Sequence, residues 1–262
     1  MITNLTDITI VLDKSGSMAG TRQATIDGFN EFIDDQREVP GEANVSLVQF
    51  GSAYTPDYTA QPIANVQDLS HSTYNPNEGS TRLYDSVCRA IDETGQRLAA
   101  MDEAQRPGKV IMVIYTDGLE NDSRQFNEND VKQRIEHQRE TYKWEFLFLG
   151  ANQDAMLSAT RIGIDSGKAM TYATTSRGIG ASYKSLANTV SLMRSAHDAA
   201  DMTCFNFCAS DYAAQDAELT MQGSSITNAN SSANISSSTS KSEPSSTSLT
   251  RKTAKKPLAT TK

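Results

Sequence analysis

Residues 8–18, Ile-Thr-Ile-Val-Leu-Asp-Lys-Ser-Gly-Ser-Met, decide how the rest of the chain is read. Residues 8–12 form a nearly continuous β-prone run that stops at Asp13, followed by Ser15 and Ser17 around a glycine. A continuous apolar run, unlike an alternating one, suits a strand buried on both faces of a parallel sheet. The pattern returns at 45–50, 110–115 and 146–149. Between these runs apolar side chains recur at helical spacing. One set is Ile26, Phe29 and Ile33, and a second is Leu83, Val87, Ile91 and Leu98. Val131 and Ile135 mark a third helix, with Asn129 or Asp130 as its expected N-cap. Ile179, Tyr183, Leu186, Val190 and Met193 form a core-facing stripe on a last helix, preceded by a short strand near 170–173. Strand alternating with helix predicts an α/β layer fold with helices on both faces of the sheet. Residues 54–77, rich in Pro, Asn and Asp, read as loop with one edge strand near 57–61.

Composition divides the 262-residue chain. Residues 223–262 are mostly Ser, Thr, Asn and Ala, and cannot bury enough apolar surface to offset chain entropy, so they are expected to be a disordered tail. The expected organisation is a domain over 1–200, a C-terminal extension over 201–222, and the tail. The tail carries Lys241, Arg251, Lys252, Lys255, Lys256 and Lys262 against Glu243 alone, which leaves the rest with 18 basic and 31 acidic residues, net −13. So acidic a body argues against binding of a nucleic-acid backbone by the folded domain. The basic tail has the charge to touch nucleic acid or an acidic surface, although a solvated, solubilising tail is the plainer reading. Three cysteines, Cys88, Cys204 and Cys208, form no disulfide-like framework, and residues 1–7 lack the features of a secretory signal. A cytoplasmic location is expected. No apolar run approaches the ~20 residues of a membrane span.

Three loops carry the chemistry. The first is Asp13, Ser15 and Ser17 after the first strand; the second holds Thr81 just before the Leu83 helix; the third is Thr116-Asp117-Gly118 after the strand at 110–115. In open α/β sheets ligands bind beyond the carboxyl ends of the strands, where strand order reverses. If the first strand and the 110–115 strand are neighbours there, all three loops meet. Hard cations such as Mg²⁺ take about six oxygens, few of them carboxylates. Two carboxylates and three hydroxyls suit that demand, and if Asp117 acts through water the ion keeps net positive charge and seeks a carboxylate from outside. Capping alone would also explain Ser and Asp after a strand, but not all three loops together. Asp85 and Glu120 read as helix-start or loop carboxylates rather than ligands. Cys204 and Cys208 have only His197 as a further zinc ligand, short of the four a structural site needs, so they read as free thiols. His71, His137 and His197 are assigned no role.

These residues resemble the three parts of the metal-ion-dependent adhesion site, or MIDAS, of von Willebrand factor type A domains, and the likeness in order and spacing runs from about residue 5 to about 200. The resemblance implies a doubly wound, Rossmann-like sheet of six strands ordered 3-2-1-4-5-6, with one short antiparallel strand. It implies Mg²⁺ or Mn²⁺ held by Asp13, Ser15 and Ser17, with Thr81 and Asp117 bound directly or through water. It also implies a protein ligand whose Asp or Glu completes the metal shell. The expected function is thus a metal-dependent protein-binding module, not an enzyme. An alternative is an accessory or scaffold subunit of an intracellular complex, such as an ATPase, stress-response or phage assembly. A metal-dependent phosphohydrolase with Asp13 as nucleophile is disfavoured, because Ser15 stands where a second aspartate would, and no phosphate-cradling glycine loop is present.

Overall fold

The computed structural model describes residues 1–77, 79–151 and 155–223. The tail expected over 223–262 lies outside the described residues apart from Gly223. Six strands, β1 (Ile2–Asp13), β2 (Glu42–Phe50), β3 (Tyr54–Pro62), β4 (Pro107–Thr116), β5 (Glu145–Gly150) and β6 (Ala169–Thr171), form one sheet ordered β3-β2-β1-β4-β5-β6. All neighbours are parallel except β2 and β3. The expected strand order and fold class therefore hold. Strand order reverses where β1 lies between β2 and β4, which puts the ends of β1 and β4 side by side.

Helices α1 (Arg22–Arg37), α2 (Leu83–Ala99), α3 (Glu128–Tyr142), α4 (Ala155–Arg161), α5 (Ser176–Ser195) and α6 (Ala209–Met221) cover the two faces. One apolar cluster joins Ile8, Ile10 and Leu12 to Phe29 and Ile33 of α1 and to the stripe from Ile179 to Met193 on α5. The other joins Val11, Met112 and Ile114 to Val87 and Ile91 of α2, Val131 and Ile135 of α3, and Ala155 and Ala159 of α4. Alternate side chains of one strand thus enter opposite cores, as the unbroken apolar runs required.

Several expectations change in detail. β1 begins at Ile2, well before its apolar run, because its polar residues are paired with α2: Arg97 grips buried Asp7 through both guanidinium nitrogens at 2.8 and 3.0 Å, and Thr9 meets Thr94 at 3.3 Å. The edge strand β3 is nine residues long rather than short, with register shifts against β2 and Ala60 at φ +48 whose N–H reaches Ser46 Oγ. The N-cap of α3 is Asn127, earlier than expected; its side chain accepts from Asn129 and Asp130 N–H while Asp130 accepts from Asn127 N–H. The extension beyond 200 holds an ordered helix, α6, packed on α5 and β6.

Candidate metal centre

The first loop leaves β1 at Asp13, which is fully buried, and turns at once into a short 3-10 helix over Gly16–Thr21. Ser15 N–H donates to Asp13 Oδ1 at 2.7 Å, so the carboxylate fixes the turn that carries the serines. Ser15 Oγ lies 3.0 Å from Ser17 Oγ, and Ser17 Oγ donates to Asp117 Oδ1 at 2.5 Å. The third loop leaves neighbouring β4. Its Thr116 hydroxyl donates to Asp13 Oδ2 at 2.6 Å, and Gly118 N–H donates to Thr116 Oγ1 at 3.1 Å. The first and third loops therefore meet at the switch point.

Thr81 arrives from the second loop because the third is stitched over the start of α2. Thr81 N–H donates to Asn121 Oδ1 and Asn121 N–H returns to Thr81 O. Glu120 accepts from Tyr84, Asp122 and Ser123 N–H and from Ser123 Oγ, while Asp85 accepts from the N–H groups of Arg124, Gln125 and Phe126. The expected roles of Asp85 and Glu120 at a helix start and in a loop are those observed. This stitching holds Thr81 against Gly118 so closely that a Cβ there would stand 3.1 Å from Thr81 Oγ1 and 3.8 Å from Asp13 Oδ2. Glycine at 118 keeps that space open. All five residues singled out in the sequence come together; Asp13, Ser15 and Thr81 are buried, Asp117 is half-buried and Ser17 exposed.

Burial pushes the Asp13 carboxyl up to about 6, against the lowering effect of its hydrogen bonds to Thr116 and Ser15, and nearby Asp117 adds to the rise. Burial likewise raises Asp117, opposed by the Ser17 hydroxyl. The groups that lower the two carboxyls are hydroxyls and backbone N–H groups of their own loops. An anionic, oxygen-only donor set fits a hard divalent ion. Sequence reading quoted Thr116 with its turn but missed two supporting residues, Asn121 and Tyr74. Asn121 stands three residues beyond Gly118, and only the fold brings it to Thr81. Tyr74, whose hydroxyl donates to Asp13 O at 2.7 Å, comes from the 63–82 connection and left no local signal. The cluster His197, Asp198 and Asp201 is exposed and lies after α5. Cys204 and Cys208 are exposed free thiols and Cys88 is a buried one.

Fold and site together define a doubly wound α/β domain that gathers acidic and hydroxyl oxygens at its switch point. The family model of the von Willebrand factor type A domain matches residues 7–184, and the chain belongs to that family. No curated protein matches the sequence. Among solved structures, the chain is similar to mussel byssus proximal thread matrix protein 1 with a zinc-occupied MIDAS motif, at 14% identity and TM-score 0.52, covering 69% of this chain and 46% of that one. It is also similar to the pilus adhesin SpaC of Lactobacillus rhamnosus GG, at 15% identity and TM-score 0.50, covering 71% of this chain and 30% of that one. This chain thus matches less than half of either structure's length, and at such identities the likeness is one of fold.

Proposed function

We propose that the domain binds a divalent cation, Mg²⁺ or Mn²⁺, through Asp13, Ser15, Ser17, Thr81 and Asp117, and through it an acidic residue of a partner protein. The observation that carries this reading is the convergence of all five side chains on one anionic, oxygen-lined spot at the switch point. A bound ion would supply the positive charge that a partner's carboxylate needs. The three hydroxyls of Ser15, Ser17 and Thr81 would hold the ion without neutralising it, which would leave charge for an incoming carboxylate. Asp13 has its carboxylate oxygens engaged by Ser15 N–H and Thr116 Oγ1, which orients it as a ligand rather than as a nucleophile. Family membership supports a binding role over an enzymatic one. The free cysteines accord with a reducing, cytoplasmic setting.

Calorimetric titration with Mg²⁺ or Mn²⁺ tests the first half. One ion per chain is expected, lost in Asp13→Ala and weakened about 10–100-fold in Thr81→Ala, the loss usual when a metal-site residue is removed. Pull-downs from lysate test the second half: a partner retained in Mg²⁺ and released by EDTA or by Asp13→Ala is expected. Metal binding that survives Asp13→Ala unchanged would remove the site from these residues.

A further inference from the structure

Beside the candidate metal centre, and sharing Gly118 with it, lies a pocket of about 190 Å³. Its deeper wall is apolar, from Leu83, Phe148 and Ile162, all buried. The mouth carries Leu119, 51% exposed directly after the Asp117-Gly118 turn, and Arg161 at the end of α4. Cofactors and drug-sized ligands occupy pockets of roughly 300–1,000 Å³, so this one suits a single side chain of a larger partner. The charges around it point the same way. Two carboxylates line the pocket: Glu120 is committed to three N–H groups and a hydroxyl, and Glu128 accepts from the Tyr84 hydroxyl at 3.4 Å. Arg161 is exposed and forms no ion pair among the described residues. The groove therefore offers an apolar floor and an exposed cation at its mouth next to a site that itself would take a carboxylate.

We infer that this pocket is the specificity subsite of the metal centre, taking one large aliphatic or aromatic side chain that lies close to the partner's metal-binding Asp or Glu, in a segment of acidic character that Arg161 complements. The inference rests on the metal-dependent reading above. Buried apolar anchors in well-packed pockets dominate binding at protein interfaces, whereas rim charges mainly steer association. Ser158 faces the pocket from α4 and makes no side-chain hydrogen bond among the described residues, so a large residue there fills the pocket without touching the five oxygen donors.

The test selects a displayed library of random twelve-residue peptides on the full chain in Mg²⁺ and elutes with EDTA. The expected outcome is peptides with Asp or Glu and a Leu, Ile, Met or Phe within a few positions. These should bind about tenfold or more weakly to Ser158→Trp and to Arg161→Glu, while Mg²⁺ titrations of both variants match the parent. Arg161→Glu changes an exposed side chain and decides the question should Ser158→Trp fail to fold. Acidic, EDTA-eluted peptides with no apolar preference, bound equally by the variants, would overturn the subsite and leave the metal reading standing. A selection yielding no EDTA-eluted peptides would overturn both.

Discussion

At the scale of single residues, Asp13 is the most consequential side chain. Its carboxyl is fully buried and pushed from 3.8 to about 6. For a carboxylate raised on folding, the folded state holds the proton more tightly, so its stability cost is absent below the unfolded value and complete above the folded one. Without metal, Asp13 therefore costs about 3 kcal/mol at pH 7 (order of magnitude), and stability falls as pH rises from 4 to 6. Asp13→Asn keeps the shape and removes the charge. In EDTA at pH 7 its melting temperature should exceed that of the parent; with Mg²⁺ the parent should gain stability and the variant should not. A variant that melts lower than the parent in EDTA would show that the charge is already balanced within the protein. Thr81→Ala makes the complementary case, because Thr81 N–H and O are held by Asn121 whatever the side chain. Its melt should change little while partner binding weakens; gross destabilisation with normal binding in the cold would contradict that.

At the scale of elements, α1 and α5 meet through glycine and tyrosine. A Cβ on Gly28 would stand 2.3 Å from Tyr183 Cδ2, and the Tyr183 ring is stacked on Tyr115 with centroids 4.6 Å apart. The ring cannot give way, so Gly28→Ala should cost about 1–3 kcal/mol through overpacking, reduced by about 1 kcal/mol of helix propensity, and lower the melting temperature. The Tyr183 hydroxyl is buried without a hydrogen-bond partner among the described residues. Tyr183→Phe should then melt no lower than the parent, since nothing is lost with a polar group left unsatisfied. A clear drop would reveal a hidden partner for that hydroxyl. These contacts also show what the sequence could and could not reveal. Apolar periodicity exposed β1, β2, β4, β5 and four helices, because those side chains are buried by their own elements' geometry. It missed α4, seven residues with few apolar positions, and the true length of β3, where Pro56 and Pro62 disguise an edge strand. The five oxygen donors were legible because each stands beside the end of a strand or the start of a helix. Tyr74 and Asn121 were not, since only the folded chain brings them near Asp13 and Thr81.

At the scale of the whole molecule, the family match ends at residue 184, but the folded core does not. Helix α6 closes the sheet's β6 edge through polar contacts that amphipathic reading cannot detect. Gln215 is fully buried; its Oε1 accepts from Ala173 N–H at 3.0 Å and its Nε2 donates to Gly178 O at 2.9 Å, satisfying backbone at the entry to α5. Ser185 donates to Asp211, and Thr175, the N-cap of α5, donates to Glu218. Leu219 and Phe207 add apolar cover. The domain therefore extends to about residue 221, and the segment after α5 is part of its fold. Two chains ending after Gly223 and after Phe207 should differ in stability by several kcal/mol, since the shorter one leaves backbone polar groups unpaired and uncovers the side of α5. Gln215→Leu isolates the polar part and should cost about 1–3 kcal/mol, the penalty of the Ala173 N–H left buried without a partner. Equal melting of the two truncated chains would mean that α6 rests on the domain without supporting it. In that case the Ala173 N–H, which Gln215 now satisfies, would have to be met by water.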